Sequence, residues 1–220
     1  MRANFVLVAN SATKSKQGRP ERRRRSDGER SRSAILNEAA RLATVEGIGG
    51  LSLSRLANEV GMSKSGLFAH FGSKEELQLA TIETANEIFD EQVLDPAAKA
   101  SGGLERLRAL TSQYLNYVEA GTFPGGCFFA TVLVEVSMQP GAVRDRLLAF
   151  LQDWIGRLEA AVRDGQREGE ISKKEDPGQF AFDLESSLLL ANTQFTVTQN
   201  SEPIERARRA IDRRIKEAAA

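Results

Sequence analysis

The stretch LSLSRLANEVGMSKSGLFAHFGSKEEL, from Leu51 to Leu77, decides the fold of the N-terminal part of this chain. Two short segments within it, 53–60 and 64–70, have the apolar spacing of helices. The glycine-containing turn 61–63 separates them. The second segment starts with small, polar and basic residues, which suit a helix whose N-terminal end enters the major groove of DNA. The pattern therefore predicts a helix-turn-helix.

The residues around this stretch predict two longer helices. Apolar residues share one face from Ser33 to Glu46, and Gly47 follows where a C-cap glycine is expected. Ser73, with a glutamate three residues later, forms a capping box, so a new helix starts there and runs towards Phe89. We expect residues 31–78 to form a three-helix DNA-binding domain.

The remaining residues, 79–220, predict a larger helical domain. Residues 127–138 are almost wholly apolar and fit a strand or a helix by periodicity; we predict a helix because the neighbouring segments are helical. No segment alternates with a period of two, so we expect an all-α fold: an N-terminal helix-turn-helix domain followed by a C-terminal helical ligand-binding and dimerisation domain. Further helices are predicted at about 104–118, 142–168, from Asp176-Pro177, and from Pro203, with a linker at 95–103.

Charge is distributed unevenly along the chain. Residues 1–75 carry 14 Lys and Arg against 7 Asp and Glu, whereas the formal net charge of the whole chain is zero. A positive end suits a polyanion such as DNA. Residues 1–30 have no usable apolar period, so we expect a flexible basic arm that either contacts DNA or remains a solvated tail.

The composition argues against several classes of protein. One cysteine allows no internal disulfide and fits a reducing cytoplasm. The apolar runs are shorter than the roughly 20 residues of a membrane span, so we expect a soluble cytoplasmic protein without membrane contact. No catalytic, metal-ligand or phosphate-loop constellation is evident, and we expect no enzyme activity, cofactor or metal. His70, the single histidine, lacks partners for catalysis or metal binding.

The sequence resembles the TetR family of bacterial transcriptional regulators. The resemblance is carried by Leu56-Ala57, residues 61–64, Leu67-Phe68, His70-Phe71 and residues 73–77. It extends over about 35–77, and beyond that only the layout of helices is similar.

The resemblance implies roles for individual residues. The helix 64–70 would read the major groove, and Ser52 and Lys74 would touch phosphates. Phe68 stands where the family usually has a phosphate-binding tyrosine, and Ser65-Gly66 replaces a common Gly-Thr. These departures bear on which operator sequence is read. The DNA-binding candidates are Ser52, Ser63, Lys64, Ser65, Gly66, Leu67, Phe68, His70, Phe71 and Lys74.

The resemblance also implies that the last two helices pair with those of a second subunit. Their apolar stripes independently favour a partner, although they would also serve to complete the core of a single chain. The dimer candidates are Leu184, Leu188, Ala191, Phe195, Ile204, Ala207, Ile211 and Ile215.

A ligand pocket among the middle helices is a further implication of the resemblance. Most candidates would equally serve as core residues, but Glu135 needs a partner, solvent or a ligand because it lies in an apolar helix. Cys127 is either a reactive sensor or a buried inert thiol. The pocket candidates are Tyr114, Phe123, Cys127, Phe128, Thr131, Glu135, Trp154 and Phe195.

Together with the resemblance, these features favour a repressor, with an activator as the other possible output. We expect a homodimer that binds double-stranded DNA at a palindromic operator and is released by a small hydrophobic effector. The alternative is a DNA-binding regulator that has no small-molecule ligand and is controlled by a protein partner or by its abundance.

Overall fold

The computed structural model describes residues 19–136 and 140–219, and this part of the chain is helical. It contains no strand; Ile171 and Ala219 form one isolated β-bridge. The all-α prediction is confirmed, as is the choice of helix for the apolar segment after Cys127. The α-helices are α1 (Arg19–Glu46), α2 (Leu53–Glu59), α3 (Lys64–Phe71), α4 (Lys74–Phe89), α5 (Asp95–Ala97), α6 (Gly103–Glu119), α7 (Phe128–Val136), α8 (Ala142–Glu168), α9 (Pro177–Thr198) and α10 (Glu202–Glu217).

Helix α1 begins earlier than the sequence pattern predicts. The backbone is helical from Arg19, whereas the apolar pattern predicts a helix start near Ser33; the role of residues 1–30 as a basic arm stays a prediction. Pro20 is compatible with a first helical turn, and the arginines and glutamates that follow are good helix formers despite the lack of an apolar stripe. The rest of the expected arm, residues 1–18, lies outside the described residues.

Helix α1 contributes to two separate cores. Ala39 and Leu42 pack with α2, α3 and the start of α4 in a small N-terminal core. Ala40 and Ala43, one residue further round the helix, belong to the large core of the C-terminal helices. One rigid helix therefore joins the DNA-binding part to the rest of the molecule.

Helix α4 is a second connection between the two parts. It starts beside α3 and continues through a π-helical turn, Asp90–Leu94, directly into α5. The linker expected at 95–103 is therefore reduced to the few residues before α6. Phe89, at the end of α4, is buried in the centre of the C-terminal core.

The dimer candidates on α9 and α10 do not form an exposed face that a second subunit could contact. All of them except Phe195 are buried within the single chain, and Phe195 is half-buried against the same core. The alternative, that these stripes complete the core of one chain, is what the structure has, because the two helices pack on each other and on α6, and α9 also packs on α8. The corrected residues are Leu184, Leu188, Ala191, Phe195, Ile204, Ala207, Ile211 and Ile215.

A different face of α9 is apolar and exposed. Phe182, Leu189, Leu190 and Val197 are 66%, 38%, 58% and 79% exposed. Their spacing places them on one side of the helix. No helix among the described residues is long and apolar enough to span a membrane.

Candidate DNA-binding helix and ligand cavity

Serine side chains cap both helices of the helix-turn-helix. The Ser52 hydroxyl accepts the Arg55 N–H at 3.1 Å, and the Ser63 hydroxyl accepts the Gly66 N–H at 3.1 Å. Each hydroxyl satisfies a backbone donor that the first helical turn leaves free. Ser52 and Ser63, which we singled out as DNA contacts, therefore also define where α2 and α3 begin.

Helix α3 has an exposed face and a buried face. Lys64, Ser65 and Phe68 are exposed, and the Phe68 side chain is 50% exposed although it is a large apolar ring. Leu67 and Phe71 are buried in the N-terminal core, so the structure corrects their assignment as DNA contacts: they hold α3 in place. Gly66 and His70 are half-exposed at the edge.

Arg32 of α1 fixes the end of α3. Its guanidinium donates to the His70 carbonyl oxygen at 2.8 Å and lies 4.5 Å from the centre of the Phe71 ring. The hydrogen bond and the cation–π contact act on adjacent residues. The direction of α3 is thus set by α1.

Lys74 is already engaged within the chain. Its ammonium donates to the Gly49 carbonyl oxygen at 2.6 Å, and Gln78 donates to the Ile48 carbonyl oxygen at 2.7 Å. Both side chains lie at the start of α4 and hold the loop between α1 and α2. A phosphate contact by the exposed Lys74 remains a prediction.

Glu135 of α7 holds the same loop from the opposite side. Its carboxylate accepts the N–H groups of Ile48 and Gly49, both at 2.7 Å. Gly47, whose φ is +78°, and Gly49 leave the space that the carboxylate occupies, because a Cβ on either would overlap it. The sequence predicts Glu135 as a residue of the ligand pocket. In the structure it instead connects α7 to the DNA-binding part. We call this set of contacts the Glu135 clamp.

A cavity of about 270 Å³ lies between α4, α6, α7, α8 and α9. Three of the pocket candidates, Tyr114, Cys127 and Trp154, line it. Phe123 and Phe128 belong to the surrounding core instead, and the remaining candidates have other positions. The Thr131 hydroxyl donates to the Gly125 carbonyl oxygen, Glu135 forms the clamp, and Phe195 packs half-buried on the core.

Most of the cavity wall was missed at the level of sequence. Aromatic side chains from distant positions converge only through the packing of α4, α7 and α8, and no local pattern marks them. A sequence signal was available only for Glu185, because an acid just before the apolar run 188–191 is unusual, although this signal was not used. The missed lining residues are Phe89, Phe129, Ala130, Leu133, Val134, Phe150, Leu151, Ile155, Phe182, Glu185 and Leu189.

The polar groups of the cavity are desolvated. The Glu185 carboxylate accepts the Trp154 indole N–H at 2.6 Å, and burial raises the pKa of Glu185. Burial also raises the pKa of the Tyr114 hydroxyl well above its ordinary value and that of the Cys127 thiol to about 11. Cys127 is therefore a neutral thiol near neutral pH, which fits an inert role better than a reactive one.

Comparison with known proteins gives matches over both parts of the chain. Residues 35–81 match the family model of bacterial regulatory proteins of the tetR family, and residues 103–211 match a tetracyclin repressor-like C-terminal domain. The HTH-type transcriptional repressor DhaR of Mycobacterium sp. (strain GP1) is 23% identical over 180 residues, which cover 79% of this chain and 86% of that protein.

Solved structures have the same arrangement of helices. A TetR transcriptional regulator from Chloroflexus aurantiacus J-10-FL superposes with a TM-score of 0.81 at 24% identity, covering 88% of this chain and 98% of that one. AibR, solved in complex with isovaleryl coenzyme A and operator DNA, has a TM-score of 0.67 at 26% identity and covers 86% and 97%. The family matches at both ends of the chain, together with this fold, establish that the chain belongs to the TetR family of bacterial transcriptional regulators, which are not enzymes.

Proposed function

We propose that this regulator is a homodimeric repressor that binds a palindromic operator through α3 and is released when a small apolar molecule enters the cavity. The observation that carries the proposal is a shared pair of helices. Helix α7 lends Ala130, Leu133 and Val134 to the cavity wall and, through Glu135, holds the loop before α2. Helix α4 lends Phe89 to the same wall and holds the same loop through Lys74.

A ligand that spreads the cavity would act on α4 and α7 together. The start of α4 and the end of α7 both contact the loop between α1 and α2, which precedes the helix-turn-helix. A displacement at the cavity would therefore be transmitted to the DNA-binding part. The ligand must bind the displaced state more tightly, since otherwise no population shifts. In the dimer, two α3 helices about 34 Å apart would fit successive major grooves, and a changed spacing would not.

The dimer face that we propose is the exposed side of α9, in place of the buried stripes. It consists of Phe182, Leu189, Leu190 and Val197. An exposed apolar strip of this kind is typical of a contact surface. The change Leu190→Glu should convert the dimer to a monomer in size-exclusion chromatography with light scattering. Val45→Glu, at a similarly exposed valine on α1, is the control and should leave the dimer intact.

The basic N-terminal region is proposed to add phosphate contacts. Residues 31–78 would form the DNA-binding domain and 79–220 the sensing and dimerisation domain. The basic residues within 1–30, including the arginine run 22–25 in the first turns of α1, would supply these phosphate contacts. Such contacts carry affinity that depends strongly on salt and little on sequence.

The test is selection and sequencing of genomic DNA fragments bound by the purified protein. We expect an inverted repeat to be enriched, and binding to it to weaken steeply with salt. Lys64→Glu should abolish binding, whereas Lys173→Glu, an exposed lysine outside the DNA-binding part, should not. Failure to enrich any motif would contradict operator recognition. A regulator controlled only by a protein partner would bind the repeat but show no ligand-dependent rise in melting temperature.

A further inference from the structure

The apolar cavity contains a single carboxylate and no basic side chain among the described residues that line it. Its walls are largely aromatic and aliphatic, and among the described residues that line it Glu185 is the one charged side chain. No lysine, arginine or histidine of the described chain lines the cavity to neutralise that carboxylate. A desolvated carboxylate without a cation is costly, so it favours an occupant that supplies positive charge or hydrogen-bond donors.

The hydrogen bonding of Glu185 is incomplete. The carboxylate accepts one bond, from the Trp154 indole, whereas a carboxylate has about four acceptor positions. The influences on its pKa are burial, which raises it, and that single hydrogen bond, which lowers it. Glu185 therefore retains acceptor capacity.

Tyr114 presents a second unsatisfied polar group. Its hydroxyl is buried and has no nitrogen or oxygen partner within the described residues; the side-chain hydrogen bond that influences its pKa is with the Cys127 thiol, a weak hydrogen-bonding group. The neighbouring Cys127 thiol is neutral, since its pKa is about 11. Buried polar atoms in native proteins nearly always have a good partner, so a hydroxyl on a cavity wall with only a weak thiol beside it points to a ligand that completes its hydrogen bonding.

The aromatic rings of the cavity add attraction for a cation. The Trp154 and Tyr114 rings are stacked at 5.9 Å between centroids, and Phe89 meets Trp154 edge-on at 5.4 Å. The faces of such rings attract ammonium groups, and the attraction increases when water is excluded. A carboxylate among aromatic rings that line the same cavity is a suitable receptor for an organic cation.

We propose that the cavity binds a small lipophilic amine in its protonated form, with Glu185 as the counter-ion and the Tyr114 hydroxyl as a hydrogen-bond partner. The apolar body of the amine lies against the phenylalanine and leucine side chains of the wall. A cavity of about 270 Å³ is slightly below the range of roughly 300–1,000 Å³ for ligand pockets, which limits the amine to a small one. Anionic molecules are rejected because they would place a second negative charge beside Glu185. The regulatory consequence of binding rests on the proposed function; the selectivity does not.

Trp154 provides the assay, because it is the only tryptophan of the chain and lines the cavity. Its fluorescence is titrated in the full-length protein with 4-phenylbutylammonium, the neutral 4-phenylbutanol and the anionic 4-phenylbutanoate. We expect the ammonium to bind on the order of tenfold more tightly than the alcohol, as a charge-assisted hydrogen bond implies, and the carboxylate to bind most weakly. An ammonium that binds no more tightly than the alcohol overturns the proposal.

Two variants separate the role of Glu185 from general effects of charge. Glu185→Gln keeps an acceptor for the Trp154 indole and should remove the advantage of the ammonium while leaving the affinity for the alcohol within about twofold. Asp153→Asn removes an exposed carboxylate next to Trp154 along the chain and should change neither affinity. Retention of the ammonium preference in Glu185→Gln would overturn the assignment of the counter-ion. If the amine binds as expected but operator DNA is not released, the ligand class stands and the proposed release mechanism fails.

Discussion

Removing the Glu135 clamp should loosen the loop between α1 and α2 without disturbing the cavity. The change Glu135→Ala deletes both acceptors of the Ile48 and Gly49 N–H groups, which lie 2.7 Å from the carboxylate oxygens. Alanine is the best helix former, so α7 itself should not be weakened. The effect therefore reports the connection between α7 and the DNA-binding part.

The magnitude follows from the exposure of the two donors. A hydrogen bond to a charged group contributes about 1.5–3 kcal/mol, but solvent reduces this at an exposed carboxylate such as Glu135. We take about 1 kcal/mol for the partly buried Ile48 N–H and about 0.5 kcal/mol for the exposed Gly49 N–H. The free energy of unfolding should fall by about 1.5 kcal/mol, which lowers Tm by about 3–6 °C for a protein of this size.

Hydrogen exchange resolved to single amides, together with calorimetry, provides the assay. Protection of the Ile48 amide should fall about fivefold and that of Gly49 about twofold, since each 1.4 kcal/mol corresponds to a factor of ten. Glu205→Ala removes only a local contact with Arg208 on α10 and should leave both amides unchanged. Unaltered protection at Ile48 and Gly49 in Glu135→Ala would refute the clamp.

Three further predictions concern other parts of the molecule. Cys127 should be alkylated at pH 8 about a hundredfold more slowly in the native than in the guanidinium-unfolded protein, because a pKa of about 11 instead of 9.0 leaves about a hundredth of the thiolate; equal rates would contradict its burial. Gly103→Ala should lower the free energy of unfolding by more than about 2 kcal/mol, since its Cβ would collide with the backbone of Gly165 where α6 crosses α8, and denaturant melts showing wild-type stability would exclude this close crossing. Ser63→Ala should cost about 1 kcal/mol through loss of the α3 N-cap, and should weaken operator binding measured by anisotropy; an unchanged affinity would argue against α3 as the reading helix.

Local chemistry was sufficient for the elements whose boundaries depend on a few adjacent residues. The Ser73 and Asp176 caps begin helices in the structure as the sequence predicts, and helix α8 spans the predicted residues 142–168. Each of these signals acts within one or two turns of helix. The helix-turn-helix was recognisable for the same reason, because its turn and its caps are contiguous in sequence.

The partner of an apolar stripe was not decided locally. The spacing of Leu184 and Leu188 on α9 correctly predicts a buried face, but the same spacing serves a second subunit and the core of one chain equally well. The structure buries this stripe inside the chain and leaves Phe182 and Leu190 exposed on the other side of the helix.

The candidate sites also show the difference between predicting which residues are buried and predicting what they are buried against. Helical periodicity identifies which residues of a segment are buried together, because it follows from local geometry. What they are buried against depends on contacts between residues far apart in the chain, such as those that join Glu135 to Ile48 and Glu185 to Trp154. Sequence alone thus predicted most of the helices, the Ser73 and Asp176 caps and the helix-turn-helix of a transcriptional regulator, whereas tertiary packing decided which acid clamps the DNA-binding part and which one faces the cavity.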